Sequence, residues 1–265
     1  MPAIKFEFKK SIDLQFSKHI DFPIMVSSHE RSGTHFLMSC ISSVSHYTQK
    51  PFFNFDYQPC GSFVNFFSKT STSNFLEKIS KYDKDGENYY LSSIVKSHFP
   101  LSLTSEISGV NMKHVYIYRN PADTLISYWK FVQRWSWFEG PKVDCPLKFI
   151  THSPSGQSRR YQVCDVGDYF DRWAAHVTEA FELSKDSRKI YLLNYADLVE
   201  EPKICLKGLI EYFDISQSSS FTQPDRSSYI RGSDIDVSDA KLRMVRSYCK
   251  ERLGDYQNLP DNILS

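Results

Sequence analysis

Three short segments of the 265-residue chain collect residue types that handle anions and protons. The first is Ser28-His29-Glu30-Arg31-Ser32-Gly33-Thr34, set between an apolar run and an apolar helical stretch. A loop so placed offers consecutive backbone N–H groups and a helix N-terminus, whose dipole favours negative charge. Gly33 permits close approach of a ligand, Ser32 and Thr34 can donate hydroxyls, and Arg31 adds a forked cation. The same residues also fit an ordinary strand-to-helix turn with a threonine N-cap. The lysine of the GxxxxGK[ST] phosphate loop is missing, and an arginine stands earlier in its place.

The second segment, "VYIYRNPADTLISYWKF" (115–131), is an apolar run that ends in Arg119. Asn120 can cap a helix, Pro121 suits its first position, and Asp123 suits its first turn. Ser127 then lies one turn beyond Asp123 on the same face. An arginine at the carboxyl end of a parallel strand points into the crevice where such sheets bind ligands; the alternative is a pair with a surface acid. In the third segment, "YLSSIVKSHFPL" (90–101), another strand delivers Lys96 and His98 to the same edge. Histidine can take a proton from an acceptor hydroxyl, and lysine can stabilise charge on a leaving group. A lone histidine is often structural, and the chain has eight; the lysine two residues away sets this one apart.

Metal-dependent phosphoryl transfer needs an acid closing a neighbouring strand to hold magnesium. Here those strands close in Lys96 and Arg119, and Asp197 follows Tyr195 where it can begin a helix. The expectation is neutralisation by side chains with no metal.

Elements that could hold these groups recur along the chain. Apolar runs of strand length fall at 22–26, 89–95, 114–118 and 189–193. Helical periodicity covers 34–44, 73–82, 121–135, 166–183 and 202–212, with a basic helix near 237–252. Strands that are apolar throughout, alternating with helices, predict an α/β fold: one domain with a central parallel sheet flanked by helices. Irregular stretches at 50–68, 136–164 and 215–237 are long enough to be lids or binding loops.

Together these motifs resemble the PAPS-dependent sulfotransferases, whose donor is 3′-phosphoadenosine-5′-phosphosulfate. "HERSGTH" (29–35) is similar to the family's P-K/R-S-G-T-[TS] loop, "KSHFP" (96–100) to K-T-H-x-P, and "RNPADTLIS" (119–127) to R-N-P-x-D-x-x-x-S. They occur in family order, and "YFDRWAAHV" (169–177) and "YADLVEEP" (195–202) also look like family segments. The resemblance implies a P-loop-like sulfotransferase domain over 1–265, with a core near 22–212 and a donor-binding loop and helix in 213–265. It implies that Arg31, Ser32, Gly33, Thr34 and His35 cradle the 5′-phosphosulfate. Lys96 would contact the sulfuryl group, with His98 as general base. Arg119 and Ser127 would hold the 3′-phosphate, and Tyr195 would lie against the adenine. Arg231 and Gly232, in "YIRGSDID" (229–236), match the family's R-K-G-x-x-G segment without its lysine and second glycine. The implied reaction moves a sulfuryl group to an oxygen or nitrogen of an acceptor, releasing the bisphosphate PAP. Arginine at position 31, where the cytosolic enzymes usually carry lysine, leaves open whether it is catalytic or only grips the donor.

The acceptor is expected among the irregular segments, between Phe52, Phe53, Phe55 and Tyr57 on one side and Trp129, Trp135, Trp137 and Phe138 on the other. Aromatic residues make up 15% of the chain, and core packing alone accounts for many of them. Such a lining suits a small, partly apolar acceptor, although rings also stack on sugars and on cations. A glycan-directed sulfotransferase and a non-catalytic nucleotide-binding module of the same fold are the competing readings. With 32 basic and 31 acidic residues, the chain lacks the basic excess of a nucleic-acid binder. Six scattered cysteines without C-x-x-C, no signal peptide and no apolar stretch near the ~18 residues of a membrane span suggest a cytoplasmic protein with no membrane partner. Oligomeric state is not readable from these features.

Overall fold

Among the described residues, three of the five strands are short and buried along almost their whole length, β1 (Ile24–Ser27), β3 (Ser93–Ser97) and β4 (Lys113–Tyr118), while β5 (Ile190–Asn194) is buried at Ile190, Leu193 and Asn194. With β2 (Thr48–Asn54) they form one parallel sheet in the order β2-β3-β1-β4-β5. A computed structural model describes residues 23–56, 93–107, 112–135, 138–162, 164–217, 221–225, 235–256, 259 and 261–264. The expected helix at 73–82 lies outside these residues, as do Tyr57, Trp137, Arg231 and Gly232.

Buried strands need cover on both faces, and period-two alternation sorts their side chains between two cores. In β4, Val115 and Ile117 join Ile24 and Val26 in a core that also takes Leu37 and Ile41 from α1 (Thr34–Val44). Leu206 and Leu209 of α7 (Pro202–Phe213) complete that layer. Tyr116 and Tyr118 face the opposite way, toward Leu125 and Trp129 of α3 (Pro121–Arg134) and Trp173 and Val177 of α5 (Tyr169–Asp186). Val245 and Cys249 of α8 (Asp239–Leu253) close the same layer. The remaining α-helices among the described residues are short: α2 (Leu101–Ile107), α4 (Pro146–Ile150) and α6 (Tyr195–Glu200).

Helix starts follow their local chemistry. The Asn120 side chain accepts from Ala122 N and Asp123 N, with Pro121 behind it. Asp168 caps α5 through Asp171 N, and Asn194 caps α6 through Ala196 N. Helix α1 differs, because Gly33 at its N-cap is left-handed (φ 101°) and contributes no side chain.

One expectation is corrected. The aromatic stretch beginning at residue 50 is not all loop: residues 48–54 form β2 at the sheet edge, with an irregular register against β3. Pro51 cannot donate to a ladder, so an edge position is where a strand containing it can survive.

Candidate functional site

The three motifs converge at the carboxyl ends of β1, β3 and β4, which are adjacent in the sheet. The connection from β1 runs to one side of the sheet and β4 lies on the other, so this is a topological switch point.

The β1–α1 loop is tightly built. Ser28 Oγ lies 2.6 Å from Thr34 Oγ1, and Ser28 N donates to Ser97 O. Arg31 is left-handed (φ 69°), an unusual state for a residue with a side chain. At Gly33 a Cβ would fall 2.3 Å from the Tyr195 ring, so the loop and that ring touch only because position 33 lacks a side chain. Ser32 Oγ is buried and makes no hydrogen bond, which fits a loop shaped to donate to an anion. His35 is exposed at the start of α1 and stacks on Phe52 (5.4 Å between centroids).

The arginines meet beside this loop. Arg31 Nε donates to Ser127 Oγ at 3.2 Å, and its guanidinium lies over Phe131. Arg119 Nη1 reaches Arg31 O at 3.5 Å, while the same guanidinium packs 4.7 Å from the centre of the Tyr195 ring. Arg119 also pairs with Asp123 at 3.6 Å, the surface acid one helical turn away. Arg31, Arg119, Ser127 and Tyr195 therefore share one cluster, although they come from three separate segments.

His98 sits on the other side of the loop. Its Nδ1 is 3.0 Å from Ser28 O, and a carbonyl can only accept. The proton thus resides on Nδ1, and Nε2 carries the lone pair. Burial, reinforced by the Lys96 ammonium, holds its pKa well below the ordinary histidine value, so the ring is neutral at neutral pH. Lys96 is buried and rests on Asp56 at 3.3 Å. Burial lowers its pKa, and the Asp56 carboxylate opposes that shift.

Several residues here escaped sequence reasoning. Asp56, just past β2, is fully buried and bonds to Lys96, Ser97, His98 and Tyr161. Beneath the loop, Glu30 accepts two bonds from Arg172 Nη2 (2.7 and 2.8 Å) and one from the Tyr128 hydroxyl. Burial would raise the Glu30 pKa, but the Arg172 guanidinium overcomes it and holds the carboxyl below the usual range. Arg172 Nη1 also lies 2.9 Å from His29 Nε2. One turn along α5, His176 Nε2 is 3.1 Å from His98 O and its Nδ1 is 2.7 Å from the Tyr116 hydroxyl. The segment "YFDRWAAHV" carried this signal, since it holds both Arg172 and His176.

Among the described residues, the aromatic side chains expected around an acceptor are dispersed. Phe52 is half exposed and Phe55 is buried next to Asp56. Trp129 lies in the core on the α3 side, its Nε1 donating to Val143 O. Trp135 packs against Phe131, and Phe138 is largely exposed. The backbone of Phe53 belongs to β2. Among the described residues, no group of three or more His, Cys, Asp or Glu side chains could hold a metal ion, and no helix is long and apolar enough to cross a membrane.

The model of the sulfotransferase domain family matches residues 21–231, and the chain belongs to this family. Mouse Sulfotransferase 1A1 is 28% identical over 120 residues, covering 45% of this chain and 37% of that protein. Mouse Sulfotransferase 1 family member D1 is 28% identical over 122 residues, covering 46% of this chain and 37% of the relative. The matched part thus spans little more than a third of these relatives' length. Among solved structures, mouse sulfotransferase SULT7A1 complexed with PAP aligns at TM-score 0.47 and 16% identity, over 89% of this chain and 90% of that one. A sulfotransferase from Alicyclobacillus acidocaldarius aligns at TM-score 0.49 and 10% identity, over 87% and 92%.

Proposed function

We propose that this chain transfers the sulfuryl group of PAPS to a hydroxyl or amine of a small-molecule acceptor, releasing PAP, and that residues 1–265 form one sulfotransferase domain. The observation that carries the reading is the convergence of the loop, His98 and Arg119 on one sheet edge, with the lone pair of His98 on Nε2. The donor supplies an activated sulfuryl group on a bisphosphate scaffold.

In this reading the β1–α1 loop binds the 5′ end of the donor, with Ser32 Oγ and the N-terminus of α1 as donors of hydrogen bonds. Arg119 and Ser127 bind the 3′-phosphate, and Tyr195, already stacked under the Arg119 guanidinium, lines the nucleotide side. His98 is neutral and takes the acceptor's proton on Nε2 as the acceptor oxygen or nitrogen becomes the nucleophile. Lys96 keeps a positive charge close to His98 and stabilises negative charge developing across the transferred group. Arg31 bridges the two ends: its backbone shapes the loop while its Nε is held by Ser127. That contact favours a gripping role for Arg31 over a direct part in bond breaking.

The decisive experiment incubates the purified chain with sulfur-labelled PAPS and a panel of phenols, alcohols and amines, with calorimetry of PAP binding alongside. Label transfer together with PAP binding supports the reading. PAP binding without transfer to any acceptor class would favour the nucleotide-binding module instead.

A further inference from the structure

The carboxylate of Asp56 gathers donors from two distant parts of the chain, Lys96-Ser97-His98 and Tyr161. Its Oδ1 accepts from Ser97 Oγ and from His98 N, each at 3.0 Å. Its Oδ2 accepts from Lys96 Nζ at 3.3 Å, His98 N at 3.2 Å and the Tyr161 hydroxyl at 3.1 Å. The carboxylate is fixed in turn: Asp56 N donates to Asn54 Oδ1, and Phe55 N donates to Lys96 O at 2.7 Å. Ser97 Oγ passes the constraint onward by accepting from Phe99 N. Tyr161 ends a 3-10 turn (Gly156–Tyr161), and its ring stands edge-on to both His98 (5.7 Å) and Phe99 (5.0 Å).

A carboxylate buried only to neutralise Lys96 would need one contact. This one also holds the backbone N–H of His98 and the side chain between the two residues, so it fixes both ends of Lys96-Ser97-His98 on one anchor. Burying an acid and a base together costs desolvation that an apolar pair would avoid, so this pair is weak evidence for a purely stabilising role.

We propose that Asp56 is a positioning residue for sulfuryl transfer: it orients His98 and holds the Lys96 ammonium in place, so turnover depends on it and donor affinity does not. This rests on the sulfotransferase reading above. The other charged or titratable groups acting on Lys96 are Glu30 and Arg160, and Lys96 in turn acts on His98.

Asp56→Asn keeps the shape and the acceptor oxygen for His98 N while removing the charge beside Lys96. The expected result is PAP affinity within about twofold of wild type and a kcat loss of roughly 100-fold, the scale of a misplaced reacting group. The alkaline limb of the kcat profile should also move to lower pH, because Lys96 without its counter-charge loses its proton sooner. Wild-type turnover in this variant, or a loss carried wholly by PAP affinity with kcat intact, would overturn the assignment. Should Asp56→Asn fail to fold, Tyr161→Phe removes one donor and leaves the charge. It should lower kcat several-fold with PAP affinity and the alkaline limb unchanged, and an unchanged kcat would equally overturn the proposal. A wild-type chain that neither binds PAP nor transfers label would instead overturn the sulfotransferase reading itself.

Discussion

At the scale of single residues, the fixed tautomer of His98 gives the site its direction. Ser28 O occupies Nδ1, and burial keeps the ring neutral, so Nε2 carries a free lone pair at neutral pH. His98→Ala should abolish label transfer while PAP binding by calorimetry stays near wild type. Full activity in that variant would remove histidine from the mechanism. Arg119 gives the complementary test, since its guanidinium is held in place by Arg31 O and Tyr195 before any ligand arrives. Arg119→Ala should weaken PAP binding by ~1.5–3 kcal/mol, the scale of a charge-assisted hydrogen bond. Equal binding of adenosine 5′-phosphate and PAP by the wild type would remove the 3′-phosphate from that contact.

At the scale of elements, helix α5 supports the site from below. Its Arg172 and His176, one turn apart, reach Glu30 in the loop and the backbone of His98. Arg172→Met would leave the Glu30 carboxylate buried without its partner, a loss of roughly 3–5 kcal/mol. Urea denaturation should show this loss, and the double change with Glu30→Gln should recover part of it. An unchanged midpoint in the single variant would mean that the pair contributes nothing to the fold. The helix itself was legible from its apolar spacing, and α1, α3 and α7 were bounded to within a residue at each end. Strands β1, β3, β4 and β5 were legible because burial on both faces leaves unbroken apolar runs. Strand β2 was not, since Pro51 and its lack of alternation imitate a loop. The candidate site residues are legible in the sequence because their types and spacing sit within short motifs, and these motifs end adjacent strands. The residues that hold them are not: Arg172 lies 142 positions beyond Glu30 and Tyr161 lies 105 beyond Asp56, and only the folded sheet brings them together.

At the scale of the whole molecule, the groups that hold the site also tie stability to pH. Burial keeps His29 neutral, lowering its pKa to about 3 against the opposing pull of Glu30. It lowers His176 to about 4, and His114 to about 4 with help from Lys189. In the unfolded chain these rings titrate near 6.5, so on acidification the unfolded state takes up protons first. The stability they provide is complete above about pH 6.5 and is lost as pH falls through their folded values. Glu30 acts in the same direction at lower pH, since its folded pKa also lies below the unfolded one. Each histidine should cost about 1.4 kcal/mol per pH unit below 6.5, on the order of 2 kcal/mol each by pH 5. Three such groups together rival a substantial part of a typical domain's 5–15 kcal/mol. Urea midpoints should therefore hold steady from pH 8 to 7 and drop steeply between pH 6.5 and 5. Two of the three histidines belong to the network under the loop, so loss of PAP binding in acid should track loss of the fold. A flat midpoint down to pH 5 would mean that these rings accept protons without unfolding, and the buried network would then be far more open to water than its hydrogen bonds imply.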